Sequence, residues 1–312
     1  MPLVHLVKHE TNIKFMKARG IAFVFSAFLL LGSLFALATN GLNFGIDFTG
    51  GTLVEVRTDG PADIADLRAR FSGLNLGSVA IQEFGAEDEV LIRIPEQENA
   101  AEDGQAQLMG VVRGAIDDTV LEYRRVEYVG PQVGEELIQS GLQAVIFSLL
   151  GIMLYIWVRF EWPFGVAAVM SLIHDTVITM GFFAITQIEF GLSTVAAVLM
   201  IAGYSINDTV VVFDRVRENL RKFKRMPLIE LFDNSINQML ARTLMTSFTT
   251  LLALFALWFF GGEVIRSFVI TLIFGIVVGT YSSNYIATPL LLYIKPDILR
   301  PNMPADTATA AG

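Results

Sequence analysis

Six stretches of this chain are apolar over a length that can cross a bilayer, and no other feature restricts its fold as strongly. They are Ile21–Thr39, Ile138–Val158, Pro163–Thr186, Leu192–Phe213, Leu244–Phe260 and Ser267–Tyr293. A spanning helix needs about 20 predominantly apolar residues. Because the hydrocarbon core offers no water to the backbone, such stretches must bond their own N–H and C=O groups as helices. With 53% hydrophobic residues among 312, the chain is too apolar for an ordinary water-soluble globule. The expected class is an α-helical membrane protein with six transmembrane helices.

Basic residues set the expected orientation. Lys8, Lys14, Lys17 and Arg19 precede the first span; Arg159 follows the second; Arg215 to Arg225 and Arg242 separate the fourth and fifth; Lys295 and Arg300 follow the last. Positive charge stays on the cytoplasmic side, which puts residues 1–20, 214–241 and 294–312 there, with both termini. The other side receives short loops around Glu189 and Glu263 and one long insertion, residues 42–136. That insertion holds 7 basic and 19 acidic residues, so it carries −12 and the rest of the chain +3. An acidic surface of this kind signals solubility more than a specific partner. The basic start, the apolar run and Ala36-Leu37-Ala38 also resemble a cleavable secretory signal. The run from Ile21 to Ala38 exceeds the usual ~7–15-residue signal core, so a retained first helix is expected.

Within the insertion, strand-like Thr52–Thr58 is followed by a helix opened by Gly60-Pro61. Two strands, Ser78–Phe84 and Asp88–Ile94, flank a turn at Gly85; a helix over Asn99–Ile116 and a strand over Val120–Val129 complete the pattern. The order β-α-β-β-α-β is that of a ferredoxin-like α+β domain. Pro163 suits a helix start, and Trp157 and Trp162 flank the preceding turn at interfacial depth. Over 214–241, Leu228, Leu231, Phe232, Ser235 and Leu240 have partial amphipathic spacing. A segment lying along the membrane surface and a solvated basic loop both fit it.

Asp208 is the residue most out of place, since a carboxylate at a helix centre costs about 2.5–3.5 kcal/mol. Ser205 and Asn207 add polarity, and Tyr204, Ser205 and Asp208 share a helical face. Asp208 lies about five residues, or ~8 Å, inside the expected cytoplasmic end, within reach of water. A proton carrier needs both protonation states accessible; an Asp that only bonds a neighbouring helix is the plainer reading. Arg242, which opens the fifth span, is the candidate cation, with Thr246, Thr249 and Thr250 continuing its face; snorkelling to the interface is its simpler role. His174 and Asp175 form a second ionisable pair in the third span, as a relay extension or as packing. Adjacent helical residues point about 100° apart, so the two should not share one narrow face. Gly275 and Gly279 are spaced for close helix packing. There is no cysteine, no nucleotide-binding glycine loop, no metal-ligand cluster and no serine–histidine signature. No catalytic residue, no metal or organic cofactor and no nucleic-acid partner is expected.

Two segments together carry a resemblance. One is Gly45-Ile46-Asp47-Phe48-Thr49-Gly50-Gly51-Thr52; the other is Gly203-Tyr204-Ser205-Ile206-Asn207-Asp208 followed by Asp214-Arg215-Val216-Arg217-Glu218-Asn219. The chain resembles the SecD/SecF family of bacterial protein-export subunits, within the resistance-nodulation-division superfamily, over nearly its whole length. The resemblance implies a non-enzymatic subunit of the inner membrane that pairs with SecD, six helices each, and uses the proton-motive force to promote late translocation of a polypeptide through the SecYEG channel. YajC and YidC are further partners it implies, and protons are the coupling ion. It assigns the family's intramembrane Asp to Asp208 and its Arg to Arg242, and places Gly45, Asp47, Gly50, Gly51 and Gly203 in structural motifs. Outside it stand a passive assembly subunit, a small-molecule exporter, and an intramembrane aspartyl protease using Asp175 and Asp208.

Overall fold

The computed structural model describes residues 11–96 and 104–294; the expected tail at 294–312, residues 99–103 of the second insertion helix and the first ten residues of the N-terminal segment lie outside the described residues, Ile294 apart. The chain divides into two compact units. Among the described residues, six helices are long and apolar enough to span a membrane: α1 (Phe15–Asn40), α5 (Pro131–Arg159), α6 (Trp162–Thr186), α7 (Leu192–Lys222), α8 (Leu228–Phe260) and α9 (Arg266–Ser282), the last continued to Leu290.

The smaller unit comprises Phe44–Ala144 with Glu189–Leu192. It starts with one helical turn, α2 (Ile46–Thr49), and then follows the expected order: β1 (Gly51–Thr58), α3 (Ile64–Ser72), β2 (Ala80–Phe84), β3 (Ala86–Ile94), α4 (Gly104–Ile116) and β4 (Val120–Val129). All neighbouring strands are antiparallel in the sheet order β2-β3-β1-β4, the ferredoxin-like arrangement. Alternation along β1 and β3 turns Val54, Val56, Val90 and Ile92 onto Leu67 and Phe71 of α3 and Val112 and Ile116 of α4. Asp63 caps α3, accepting from the N–H groups of Ala65 and Asp66, both at 3.0 Å. The Glu189 loop, expected on the same side as the insertion, belongs to this unit. Its Glu189 pairs with Arg93 at 2.7 Å, the N–H of Gly45 bonds Phe190 O at 3.0 Å, and the rings of Phe48 and Phe190 stack at 5.9 Å.

In the membrane unit α6 and α9 are the most buried spans. Gly275 of α9 abuts α7 so closely that a Cβ there would lie 2.2 Å from Ile201, which bears out a packing role for this glycine. Residues 214–241 form no separate surface helix and no long loop, but the facing ends of α7 and α8. Helix α7 runs on to Lys222, α8 starts at Leu228, and the turn between them holds only Phe223–Pro227. The amphipathic stripe is real but covered by protein: Leu228, Leu231, Phe232 and Leu240 pack with Phe160, Phe164, Phe213 and Val216. The same stretch of α8 serves α1, whose start has no side-chain cap of its own. Asp233 accepts from Met16 N at 2.8 Å, and Asn237 accepts from Ile13 N at 2.9 Å and donates to Ile13 O at 2.8 Å. Asp233 thus takes up an N–H donor that a helix start otherwise leaves orphaned, and Asn237 fixes the segment leading into it.

Gly50 and Gly51 turn the chain into β1 with φ of +68° and +110°. At Gly51 a Cβ would also meet Ile94 O at 2.3 Å, since β3 runs alongside. Gly51→Val is therefore expected to add backbone strain of about 1–3 kcal/mol to a steric clash and to reduce accumulation of the full chain sharply. Gly60→Ala has the strain (φ +96°) with open space around it and should be milder. Immunoblotting of membrane fractions gives both levels; wild-type accumulation of Gly51→Val would refute the close-approach argument.

Candidate functional site

Polar side chains from five of the six spans meet inside the membrane unit. The centre is Asp175 of α6, 1% exposed. Its Oδ2 accepts from Ser205 Oγ of α7 at 2.5 Å and from Ser282 Oγ of α9 at 2.7 Å. Its Oδ1 lies 2.8 Å from His174 Nδ1. The other ring nitrogen, Nε2, is 3.0 Å from Ser26 Oγ of α1, which lies 3.0 Å from the Tyr281 hydroxyl of α9. Tyr281 donates in turn to Ala22 O of α1. His174 and Asp175 thus share one network, contrary to the expectation from their 100° separation, because the imidazole folds back onto its neighbour.

Asp208 lies three residues beyond Ser205 and is solvated quite differently. It is 7% exposed, and the hydroxyls of Thr243 on α8 and of Ser283 stand close enough to its carboxyl to stabilise a charge there, although neither makes a full hydrogen bond to the buried Oδ2. Ser283 also stands next to it but is engaged elsewhere, 3.1 Å from Thr209 Oγ1 and donating to Gly279 O at 2.8 Å. Ser283 opens a π-helical turn, Ser283–Ala287. There Thr288 Oγ1 donates to the carbonyl of Ser283 at 3.1 Å, five residues back, ahead of Pro289, which has no N–H to give. Wide turns of this kind concentrate at functional sites. No hydrogen bond joins the two aspartates, so they do not form the proton-sharing pair of an aspartyl protease.

Arg242 lies close enough to act on Asp208 electrostatically but makes no ion pair with it among the described residues; its side chain is exposed, and the next residue, Thr243, faces the carboxyl. The expected line of hydroxyls does not lead to Asp208. Thr246, Thr249 and Thr250 each bond a carbonyl of their own helix, at 2.9 Å in every case. Asn207 and Gly203 also face outward. Asp47 has a distinct task, its Oδ2 accepting from Leu192 N, the first residue of α7, at 2.7 Å. Gly45 leaves room for Glu189, whose Oε1 would lie 2.5 Å from an added Cβ. Ser26, Thr243, Tyr281, Ser282 and Ser283 were not anticipated; the polar triplet Ser282-Ser283-Asn284 inside the last span is the signal that could have found three of the buried positions in this region.

Comparison with known proteins gives the family of the chain. Residues 112–297 match the family described as protein export membrane protein SecD/SecF, C-terminal, and residues 35–62 match the SecD/SecF GG motif. The protein translocase subunit SecF of Rickettsia rickettsii is 44% identical over 92% of this chain and 94% of its own length. That of Cereibacter sphaeroides is 47% identical over 94% and 92%. A SecDF structure from Thermus thermophilus, titled a translocon-associated membrane protein, superimposes with a TM-score of 0.84 at 34% identity. The match covers 93% of this chain but 39% of that longer one. A SecDF structure in a super-membrane-facing form gives 0.65 at 32% identity. The chain belongs to the SecD/SecF family.

Proposed function

We propose that this chain is the smaller half of a proton-driven accessory to protein export, in which protonation of Asp208 changes the packing of α7, α8 and α9. The burial of the Asp208 carboxyl inside the bundle, between Thr243 of α8 and Ser283 and with no full hydrogen bond to its Oδ2, carries the reading. A buried polar atom without a full partner costs about 1–3 kcal/mol; the neighbouring Thr243 hydroxyl can donate to the ionised carboxylate but accept from the protonated one, so a proton on this oxygen reverses the interaction between α7 and α8. The π turn at Ser283 is the element that such a change would bias. One proton moving through 100 mV releases about 2.3 kcal/mol, roughly a fiftyfold shift of a two-state equilibrium. Asp175, fully hydrogen-bonded, holds the helices together in this scheme.

The partner is a SecD-type chain. Support comes from the length of the SecDF relative, of which this chain matches 39%, and from polar groups exposed at spanning depth: Asn207, Arg242, Thr246 and Thr249. Lipid is a poor neighbour for that face and another polar helix surface a better one. The names of the relatives point to polypeptide translocation as the process served; SecYEG, YajC and YidC as partners rest on the resemblance alone.

The orientation proposed puts both termini in the cytoplasm and the α/β unit outside. Arg159, Arg215, Arg217 and Arg221 lie at one end of the membrane unit, as charge bias requires. Cysteines placed singly at exposed Ser72 and Lys224 of this cysteine-free chain test it. The first should react with an impermeant maleimide in intact cells and the second only after permeabilisation; the reverse pattern rejects the topology.

Asp208→Asn keeps size and hydrogen-bonding capacity but cannot titrate. It should accumulate normally, co-purify with SecD and lose the response of protein export to an imposed proton gradient in inverted vesicles. Asp208→Glu should retain more of that response than Asn. A fully responsive Asp208→Asn variant would eliminate the proton-carrier role. Asp175→Asn, by contrast, sets an amide against buried donors at a cost of about 1–3 kcal/mol. Its expected signature is a lower melting temperature in detergent, and an unchanged one would show that the network does not brace the bundle.

A further inference from the structure

A cavity of about 490 Å³ opens at the basic end of the membrane unit, where the last turns of α7 pass the end of α5. Arg159, Arg217, Arg221 and Lys222 line it with Asp214 and Glu218, four cations against two carboxylates. Part of this charge is spoken for. Arg159 pairs with Asp214 at 2.7 Å, Arg217 with Glu161 at 3.0 Å, and Glu218 with Arg215 at 2.5 Å. The remainder is positive: Arg221 and Lys222 are exposed and enter no ion pair among the described residues, and the buried Nε of Arg217 has no hydrogen-bond partner. The Arg159 and Arg217 guanidinium groups lie over the Phe160 ring, 5.1 and 5.3 Å from its centre, which holds both in place.

The same hairpin end marks the depth of this cavity. Trp157 and Trp162 are exposed on either side of the α5–α6 turn, and exposed tryptophans at helix ends sit at the headgroup level of a bilayer. Between α5 and α6 at that end runs a second hollow of about 320 Å³, whose walls include Met153, Trp157, Trp162 and Met170. Cations with spare capacity stand at phosphate depth, and an apolar groove of acyl-chain character starts within a few residues of them.

We infer that this end of the protein binds an anionic phospholipid, its phosphate in the Arg159–Arg217–Arg221–Lys222 cavity and an acyl chain along the α5–α6 groove. A zwitterionic lipid brings a phosphate with its own ammonium and gains little from the surplus charge. A soluble phosphate gains nothing from the groove. The inference needs only that the helices are embedded in a membrane; it stands or falls apart from the roles proposed for Asp208 and SecD.

Native mass spectrometry of the full chain in detergent, with phosphatidylglycerol or phosphatidylcholine of the same acyl length, tests it. Retention of phosphatidylglycerol should exceed that of phosphatidylcholine by about tenfold or more, each basic residue near an anionic surface contributing roughly fivefold. The double variant Arg221→Gln/Lys222→Gln removes only exposed side chains and should abolish most of the preference. Lys224→Gln/Arg225→Gln, an equal loss of charge in the adjoining turn, should preserve it. Equal retention of the two lipids by the wild type overturns the inference. So does an equal effect of the two double variants, which would mean general surface charge. Displacement of bound phosphatidylglycerol by millimolar glycerol phosphate would overturn the lipid assignment in favour of a soluble phosphate.

Discussion

Asp175 takes hydrogen bonds from Ser205 and Ser282 on two other spans and lies within bonding distance of His174 on its own. In a hydrocarbon medium no water can replace these donors. The relative rotation of α6, α7 and α9 is thereby restricted to the setting that aims both serines at one carboxylate, and Gly275 lets α9 approach Ile201 of α7 closely enough for this to happen. His174 extends the restriction to α1 through Ser26. Once those four helices are set, Asp208, three residues from Ser205 on the same helix, has its surroundings chosen for it: Thr243 on one side and the π turn on the other. Asp175 is fully hydrogen-bonded and the Oδ2 of Asp208 is not, and that difference follows from where the serines are.

Much of this was legible from residue order. Apolar length gave the six spans, alternation and turn residues gave the α/β unit, and a carboxylate in an apolar run singled out Asp208. The buried serines were less visible. A hydroxyl in a spanning helix commonly bonds a carbonyl of its own preceding turn, as those of Thr246, Thr249 and Thr250 do, so Ser282 and Ser26 read as ordinary until their partners are seen. Periodicity also cannot say what covers an apolar stripe. Leu228, Leu231 and Phe232 fit a membrane surface as well as they fit Phe213 and Val216, and only the packing of α7 against α8 distinguishes the two. The link of the Glu189 loop to the α/β unit was not legible for a related reason: its tie to Arg93 joins residues 96 positions apart and has no local signal.

The GG motif also gains a fuller physical meaning. Gly51 is needed for the approach of β3, and Gly45 for room beside Glu189, while Asp47 supplies an acceptor to the first N–H of α7. A negative group there also complements the helix dipole.

The cap on α1 has a consequence for how the protein is made. Met16 and Asp233 are 217 residues apart, so at about 5–20 residues per second a ribosome needs roughly 10 to 40 s to supply the acceptor for an N–H it has already synthesised. Until then the first span leaves the insertion machinery with an open end. Among the six spans described, α1 precedes the other five in the chain yet waits for α8 before its first turn is completed.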